Sequence, residues 1–243
     1  MLYRFFLACF APFALLHFPM SKTSKDNSDK LILAVPKGRI LKELMPLLKQ
    51  CGIEPEPDFT DENSRKLRFT TNHADLDIIR VRAFDVATFV AYGGAQIGVA
   101  GKDALEEFNY ADIYSPLDLK IGYCRLSVAM PDSELEEADC TRRSHIRIAT
   151  KYPNLTARYF ERKGIQAECI KLNGAMEIAP SLGLVRRIVD LVSTGSTLRA
   201  NHLTETETIL EVSSRLIVNR SALKTDPERL GDWIERFRQA ILS

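Results

Sequence analysis

Between Leu31 and Phe108 the chain alternates short β-branched apolar runs with segments whose apolar residues recur at helical spacing. This pattern predicts strands at 31–35, 65–71, 76–82 and 95–100, and helices at 40–50, 84–92 and 102–108. Alternation of this kind is typical of a mainly parallel sheet covered by helices. We therefore expect an α/β protein.

The second half of the chain repeats the pattern and is interrupted by a polar stretch at 134–144, which we expect to be a loop or short helix. Strands are predicted at 125–130, 146–149, 167–172 and 188–192, a helix at 154–163, a strand-like run at 208–218 and an amphipathic helix at 227–242. Two such lobes leave a cleft outside the carboxyl ends of the strands, where ligands bind. We predict lobe I over 30–125 plus 205–243, with the last helix returning to it, and lobe II over 126–204.

Residues 1–29 form an apolar and then polar leader that we expect to lie outside the fold. Phe5 to Phe18 is nearly all apolar behind Arg4, like the core of a signal peptide, but it is too short to span a bilayer comfortably. No convincing cleavage site follows, so we predict that translation begins at Met20. A targeting peptide and a membrane anchor are the alternatives.

The charge balance and the cysteines exclude several classes of function. With 33 Lys and Arg against 32 Asp and Glu, no global field draws the chain to nucleic acid or to a membrane, so an anion site must be local. The five cysteines are odd in number and show no metal-ligand spacing. This favours reduced thiols in the cytoplasm and no metal site made of protein ligands.

A hydroxyl-rich glycine turn follows the apolar run at 188–192. Its residues are Ser193, Thr194, Gly195, Ser196 and Thr197. Gly195 lets the backbone approach an anion, and the amides and three hydroxyls beside it can donate to a phosphate. Asp190 would repel that phosphate, so a sugar hydroxyl or a Mg²⁺-ordered water is its better partner. The turn predicts a site for a phosphorylated ribose, although an ordinary capped turn would have the same letters.

A basic turn, Lys37-Gly38-Arg39, directly follows the first predicted strand. Backbone and side chains at such a turn can grip one anion together, whereas an isolated Lys or Arg is more often a solvated surface charge. The chain has neither Gly-x-x-x-x-Gly-Lys-[Ser/Thr] nor Gly-x-Gly-x-x-Gly, which argues against a nucleoside-triphosphate P-loop and against the usual dinucleotide fold. The two turns should face the same cleft.

Together these segments resemble the ATP phosphoribosyltransferase family. The resemblance rests on Leu-Ala-Val-Pro-Lys-Gly-Arg-Ile at 33–40, Asp-Leu-Val-Ser-Thr-Gly-Ser-Thr-Leu at 190–198 and the order of the segments between them, and it runs from about Leu31 to Ala222. Two departures are Arg186 and Arg187, where the family commonly has Asp-Ala. Gln96 and Ala87 replace a common Asp and Pro.

The resemblance implies a two-lobed periplasmic-binding-protein-like (type II) fold with an inter-lobe cleft. It implies transfer of a phosphoribosyl group from phosphoribosyl pyrophosphate to N1 of ATP, giving phosphoribosyl-ATP and pyrophosphate with Mg²⁺, in the first step of histidine biosynthesis. About twenty residues follow Ala222, too few for the regulatory domain of long family members. We therefore expect a short form in a hetero-oligomer with a regulatory subunit that resembles the catalytic domain of a histidyl-tRNA synthetase.

The resemblance also assigns roles to residues. The glycine turn would hold the 5'-phosphate, and Asp190 the ribose hydroxyls. Lys37, Arg39, Arg65 and Lys66 are candidates for the triphosphate or pyrophosphate, with Lys151 and Arg125 as weaker candidates. Glu177 would orient a substrate hydroxyl or Mg²⁺, although a helix-start carboxylate is an equal interpretation. The Mg²⁺ ion would be held through substrate phosphates.

Two other functions stay open at this point. A two-lobed solute-binding protein for a small phosphorylated or anionic ligand would suit the signal-like start of the chain. A phosphoribosyltransferase of the common single-domain class would place two adjacent acids before its Thr-Gly, and Val189 stands where the first acid is needed.

Overall fold

The computed structural model describes residues 30–61, 63–137 and 144–242. The predicted leader at 1–29 and residues 138–143 of the polar stretch lie outside these ranges. The described residues form two β-sheets with helices packed against them, which confirms the predicted α/β class. The strands are β1 (Leu31–Pro36), β2 (Arg68–Thr70), β3 (Leu76–Val81), β4 (Ile97–Gly101), β5 (Ile113–Asp118), β6 (Cys124–Pro131), β7 (His145–Thr150), β8 (Gln166–Lys171), β9 (Arg187–Val192), β10 (Leu203–Val212) and β11 (Ser214–Asn219). The α-helices are α1 (Arg39–Gln50), α2 (Ala83–Ala91), α3 (Lys102–Phe108), α4 (Pro153–Glu161), α5 (Ser196–Ala200), α6 (Arg220–Thr225) and α7 (Pro227–Leu242).

The first sheet has the strand order β2-β3-β1-β4-β11-β5. Its centre is parallel, because β1 pairs in parallel with both β3 and β4, whereas β2, β11 and β5 join antiparallel. Helices α1 and α7 pack on this sheet, where Leu44 and Leu48 of α1 share one buried cluster with Trp233 and Phe237 of α7. The last helix therefore returns to the first sheet, as predicted.

The second sheet has the order β10-β6-β9-β7-β8, with β7 parallel to β8 and to β9. Its buried cluster joins Leu126 and Val189 of the sheet to Leu155 and Phe160 of α4. Both sheets thus have parallel strands whose carboxyl ends are followed by helices. This arrangement is the one that places binding residues at strand ends.

One predicted strand, at 208–218, is two strands that belong to different sheets. Val212 pairs with Cys124 in the second sheet, and Ser214 pairs with Gly101 in the first. The chain changes sheets at Ser213, which is buried and donates from Oγ to Asp118. A β-branched pattern predicts a strand but not its partner. The predicted division of the lobes at 204/205 differs from this topology, because β10 lies with β6.

Two elements were not predicted. β5 carries Ser115 and Pro116 and lies at a sheet edge, where Pro is tolerated because no ladder bond is needed there. Helix α6 is only six residues long, and its N-cap is Asn219, whose side chain accepts a hydrogen bond from the Ala222 N–H at 2.8 Å. Neither has the periodicity of a longer element.

Candidate functional site

The glycine turn joins β9 to α5, as predicted. Gly195 has a φ of 72°, in the left-handed region that side chains with a Cβ rarely adopt. A Cβ at this position would also lie 3.1 Å from Nη1 of Arg199, which donates to the Thr194 carbonyl oxygen. The hydroxyl oxygens of Thr194 and Ser196 lie 3.0 Å apart on the exposed side of the turn. Backbone and hydroxyl donors are therefore accessible to a ligand.

A cavity of about 270 Å³ brings the glycine turn together with Asp190 and Glu177. Burial raises the pKa of Asp190 to about 6, and the charge of Glu177 adds to this, while the Leu191 N–H and Lys151 oppose it. The Leu191 N–H donates to Oδ1 at 2.8 Å, which leaves the second carboxylate oxygen available to a ligand hydroxyl. A sugar phosphate fits this cavity, because the turn can bind its phosphate and Asp190 can accept from its hydroxyls.

A larger cavity of about 740 Å³ lies between the two lobes, and its lining has four cations against two carboxylates, Asp85 and Glu107. Lys37 and Arg82 line it from the first lobe, and Lys151 and Lys171 from the second. The four residues lie at or just after the ends of the parallel strands β1, β3, β7 and β8. Four cations around one cleft provide a site for a polyanion.

The basic turn is only partly directed at this cleft. Gly38 has φ 89° and ψ −142°, a conformation open almost only to glycine, and it precedes α1. Lys37 lines the inter-lobe cleft and also an adjacent cavity of about 370 Å³, which Gly38 shares. Arg39 pairs with Glu43 one turn along α1 at 3.1 Å. Lys37 is thus the better-placed cation of the turn.

The other predicted cations have different positions. Arg65 is exposed, and Lys66 pairs with Glu56 at 2.6 Å. Lys66 donates to Glu56 and lowers the pKa of that carboxyl. As far as the described residues show, both lie outside the linings of the three cavities above.

Arg125 contacts the glycine turn at the Ser193 carbonyl oxygen. Its Nε and Nη2 donate to the Glu205 carboxylate across the β6–β10 pair, and its Nη1 lies 3.4 Å from the Ser193 carbonyl oxygen. Donation to Glu205 raises the pKa of Arg125 above its ordinary value. The structure therefore gives Arg125 a role in holding the turn.

The departures at Arg186 and Arg187 lie away from the cavities. Arg186 pairs with Glu134 at 2.7 Å, and Arg187 is 4% exposed within β9. Gln96 accepts a hydrogen bond from the Ile32 N–H at 2.9 Å, so its side chain supports β1.

Sequence reasoning missed Arg82, Lys171, Asn173 and Arg199. The first three line the inter-lobe cleft, and Arg199 contacts the glycine turn. A usable signal existed for Arg82 and Lys171, because Arg82 is the last residue and Lys171 the last but one of a predicted strand, and ligands of parallel sheets bind at strand ends. The position of Arg199 depends on the direction of α5, which the sequence alone does not predict.

Comparison with known proteins gives a consistent result. The family model for HisG, ATP phosphoribosyltransferase, matches residues 82–239. Curated ATP phosphoribosyltransferases of Paramagnetospirillum magneticum and Rhodospirillum rubrum are 65% identical over 212 residues and 62% identical over 217 residues. These alignments cover 87% and 89% of this chain, and 97% and 96% of the relatives.

A solved structure is similar over a comparable share of the chain. It is described as an ATP phosphoribosyl transferase (HisG:HisZ) complex from Thermotoga maritima, and it matches with a TM-score of 0.72 and 32% identity. The match covers 87% of this chain and 98% of the other. The two-lobed architecture predicted from the resemblance is thereby confirmed.

Proposed function

The chain belongs to the ATP phosphoribosyltransferase family, and we propose that its inter-lobe cleft and glycine turn carry out that family's reaction. A phosphoribosyl group passes from phosphoribosyl pyrophosphate to N1 of ATP, which yields phosphoribosyl-ATP and pyrophosphate and begins histidine biosynthesis. The observation that carries the assignment is the cavity in which the glycine turn, Asp190 and Glu177 meet. The solute-binding alternative is not favoured, because the chain spans nearly the whole length of enzyme relatives.

The glycine turn and Asp190 bind the phosphoribosyl group in this proposal. The amides and hydroxyls of Ser193–Thr197 donate to the 5'-phosphate, while Arg125 and Arg199 hold the turn by its carbonyl oxygens. Asp190, ionised above its pKa of about 6, accepts from the ribose hydroxyls. A carboxylate there also stabilises the positive charge that develops on the ribose.

The cations of the cleft hold the leaving group and the triphosphate. N1 of ATP forms a bond to the anomeric carbon while the bond from that carbon to pyrophosphate breaks, and the bonding electrons leave with pyrophosphate. Lys37 and Lys151, with Arg82 and Lys171, neutralise that charge from both lobes. A protein nucleophile is not needed, so positioning and electrostatics account for the catalysis.

Mg²⁺ fits this site as an ion carried by substrate. The described residues contain no group of three or more His, Cys, Asp or Glu side chains that could hold a metal. Mg²⁺ usually keeps waters and binds through one or two carboxylates plus phosphates, and Asp190 and Glu177 line one cavity. These two carboxylates would accept from its waters. The bound ion supplies charge neutralisation on the pyrophosphate.

A regulatory subunit is part of the proposal. The Thermotoga maritima structure is of a HisG:HisZ complex, and we propose that this chain likewise assembles with a subunit resembling a histidyl-tRNA synthetase catalytic domain. Within the ranges 30–61, 63–137 and 144–242, no helix is both long and apolar enough to cross a membrane. We place the reaction in the cytoplasm.

The test is the absorbance-monitored formation of phosphoribosyl-ATP by the purified full-length chain with ATP, phosphoribosyl pyrophosphate and Mg²⁺. The assay is run with and without the histidyl-tRNA-synthetase-like subunit. Product that depends on that subunit supports both the reaction and the partner, and product without it removes only the obligatory partner. No product in either mixture, with phosphoribosyl pyrophosphate still bound, would overturn the transferase.

A further inference from the structure

Glu107 of the first lobe caps a helix of the second lobe. Its carboxylate accepts hydrogen bonds from the Asn154 N–H at 3.0 Å and from the Leu155 N–H at 2.8 Å. These amides belong to the first turn of α4, whose N-cap residue Tyr152 makes no side-chain cap of its own. Glu107 is only 8% exposed, and both of its carboxylate oxygens are occupied. It therefore holds protein rather than ligand.

A second bond between the lobes lies one helical turn away. The Tyr152 hydroxyl donates to Oδ2 of Asp103 at 2.7 Å, and the two residues are 2% and 6% exposed. Burial and the charge of Asp103 raise the pKa of Tyr152 well above 10, so the phenol keeps its proton and donates. A Cβ on Gly101 would lie 2.1 Å from Oδ1 of Asp103, so glycine at 101 leaves room for this carboxylate.

Both bonds involve residues that directly follow Lys151, a cation of the proposed site. Thr150 before it is fully buried and accepts from the Tyr152 N–H at 2.9 Å, and Tyr152 follows it. The Lys151 Nζ lies 4.3 Å from the ring centroid of Phe84 in α2 of the first lobe. Tyr152, which follows Lys151, thus bonds to the first lobe through its hydroxyl and to Thr150 through its amide.

We propose that Asp103 and Glu107 are positioning residues. Their hydrogen bonds to the Tyr152 hydroxyl and to the amides of Asn154 and Leu155 join the two lobes, and we call this set of bonds the inter-lobe latch. The latch holds the lobes so that Lys151 faces Lys37 across the cleft. This inference rests on the proposed function, in which Lys151 contacts a substrate phosphate. Loosening the latch lowers the fraction of molecules in which Lys151 is placed to bind a phosphate, so the apparent dissociation constant rises toward that of a protein without the Lys151 contact.

The test measures kcat and KM for both substrates in Tyr152→Phe and Glu107→Gln, with the regulatory subunit present if the wild type requires it. We expect KM for both substrates to rise about 3- to 10-fold while kcat changes less than about 2-fold, as a smaller competent population requires. The control is Thr204→Val, which removes a hydroxyl bond to Asp132, also 2.7 Å long, within the second lobe. It should leave KM unchanged.

A purely structural role makes a different prediction. A smaller folded fraction lowers kcat per mole of protein and the thermal midpoint but leaves KM unchanged, and that result would overturn the proposal. If Glu107→Gln does not fold, Tyr152→Phe still tests it, because the ring and its packing on Phe84 remain.

A double-mutant cycle between Tyr152→Phe and Lys151→Met tests whether the latch acts through Lys151. In a Lys151→Met background, Tyr152→Phe should change KM by less than about 2-fold, because its effect passes through the missing ammonium group. Fully additive effects would contradict the latch. Pyrophosphate binding by calorimetry gives the same comparison without turnover, so a failure of the latch is distinguishable from a failure of the proposed reaction.

Discussion

The ammonium group of Lys151 in the second lobe lies above the ring of Phe84 in the first, with Nζ 4.3 Å from the ring centroid. A cation held over an aromatic face gains stabilisation of about 0.5–2 kcal/mol. Phe84 also packs against Tyr152 at a centroid distance of 5.4 Å. The lysine is therefore oriented toward the cleft before any substrate enters.

Replacing Lys151 with Met tests its role in binding the leaving group. A charge-assisted hydrogen bond contributes about 1.5–3 kcal/mol, so we expect kcat/KM for phosphoribosyl pyrophosphate to fall roughly 10- to 100-fold. Steady-state kinetics with each substrate varied in turn provides the measurement. The control is Lys49→Met at the exposed end of α1, which should stay within about 2-fold of wild type. Equal losses in both variants would remove Lys151 from the site.

Lys37 and Arg39 should differ although they flank the same glycine. Lys37 lines the inter-lobe cleft, whereas Arg39 pairs with Glu43 on α1. We expect Lys37→Met to lower kcat/KM at least 10-fold, and Arg39→Met to cost less than about 3-fold, because an exposed i,i+4 pair contributes little. A larger loss in Arg39→Met would restore arginine as the main phosphate contact and show that its pairing with Glu43 breaks when substrate binds.

The sequence was sufficient for what depends on local pattern. Ser193–Thr197 forms the predicted turn because a buried strand and Gly195 define it within ten residues. The alternation of strands and helices likewise predicted the fold class. The position of Lys37 directly after β1 is also a local feature, and the sequence predicted it.

The features that could not be predicted are contacts between residues that are far apart in the chain. Arg125 donates to Glu205, eighty residues away, and Lys66 pairs with Glu56, and neither partner follows from the local pattern. Glu107 looks like an ordinary solvated helix residue until α4 is brought against it. Charge type alone does not show which ion pairs have already formed within the protein.

Replacing Gly195 with Ala tests the shape of the glycine turn. The φ of 72° is strained for alanine, and its Cβ would lie 3.1 Å from Arg199 Nη1, so the guanidinium that holds the Thr194 carbonyl oxygen must give way. We expect KM for phosphoribosyl pyrophosphate to rise about 10-fold or more, with a smaller change in KM for ATP. The control is Gly231→Ala in α7, where no atom lies within 4 Å of the added Cβ. This control should be neutral or stabilise by about 0.5–1 kcal/mol. An unchanged KM in Gly195→Ala would argue against the turn as the 5'-phosphate site.

Replacing Asp190 with Asn should raise stability while it lowers activity. The pKa of Asp190 is about 6 in the folded protein against an ordinary 3.8, so the native state binds more protons between these values and its stability falls as the pH rises through them. Asn removes that cost, and chemical denaturation should show a gain of about 1–3 kcal/mol at pH 7.5 that disappears below about pH 4.

The same substitution should lower activity. Loss of the ribose acceptor should lower kcat/KM roughly 10- to 100-fold at pH 7.5. In the wild type, kcat/KM should decline below about pH 6 as the carboxylate protonates, and Asn should remove that decline. Wild-type activity in the variant, or a stability gain that persists at pH 4, would show that the carboxylate is neither the ribose contact nor a source of strain in the fold.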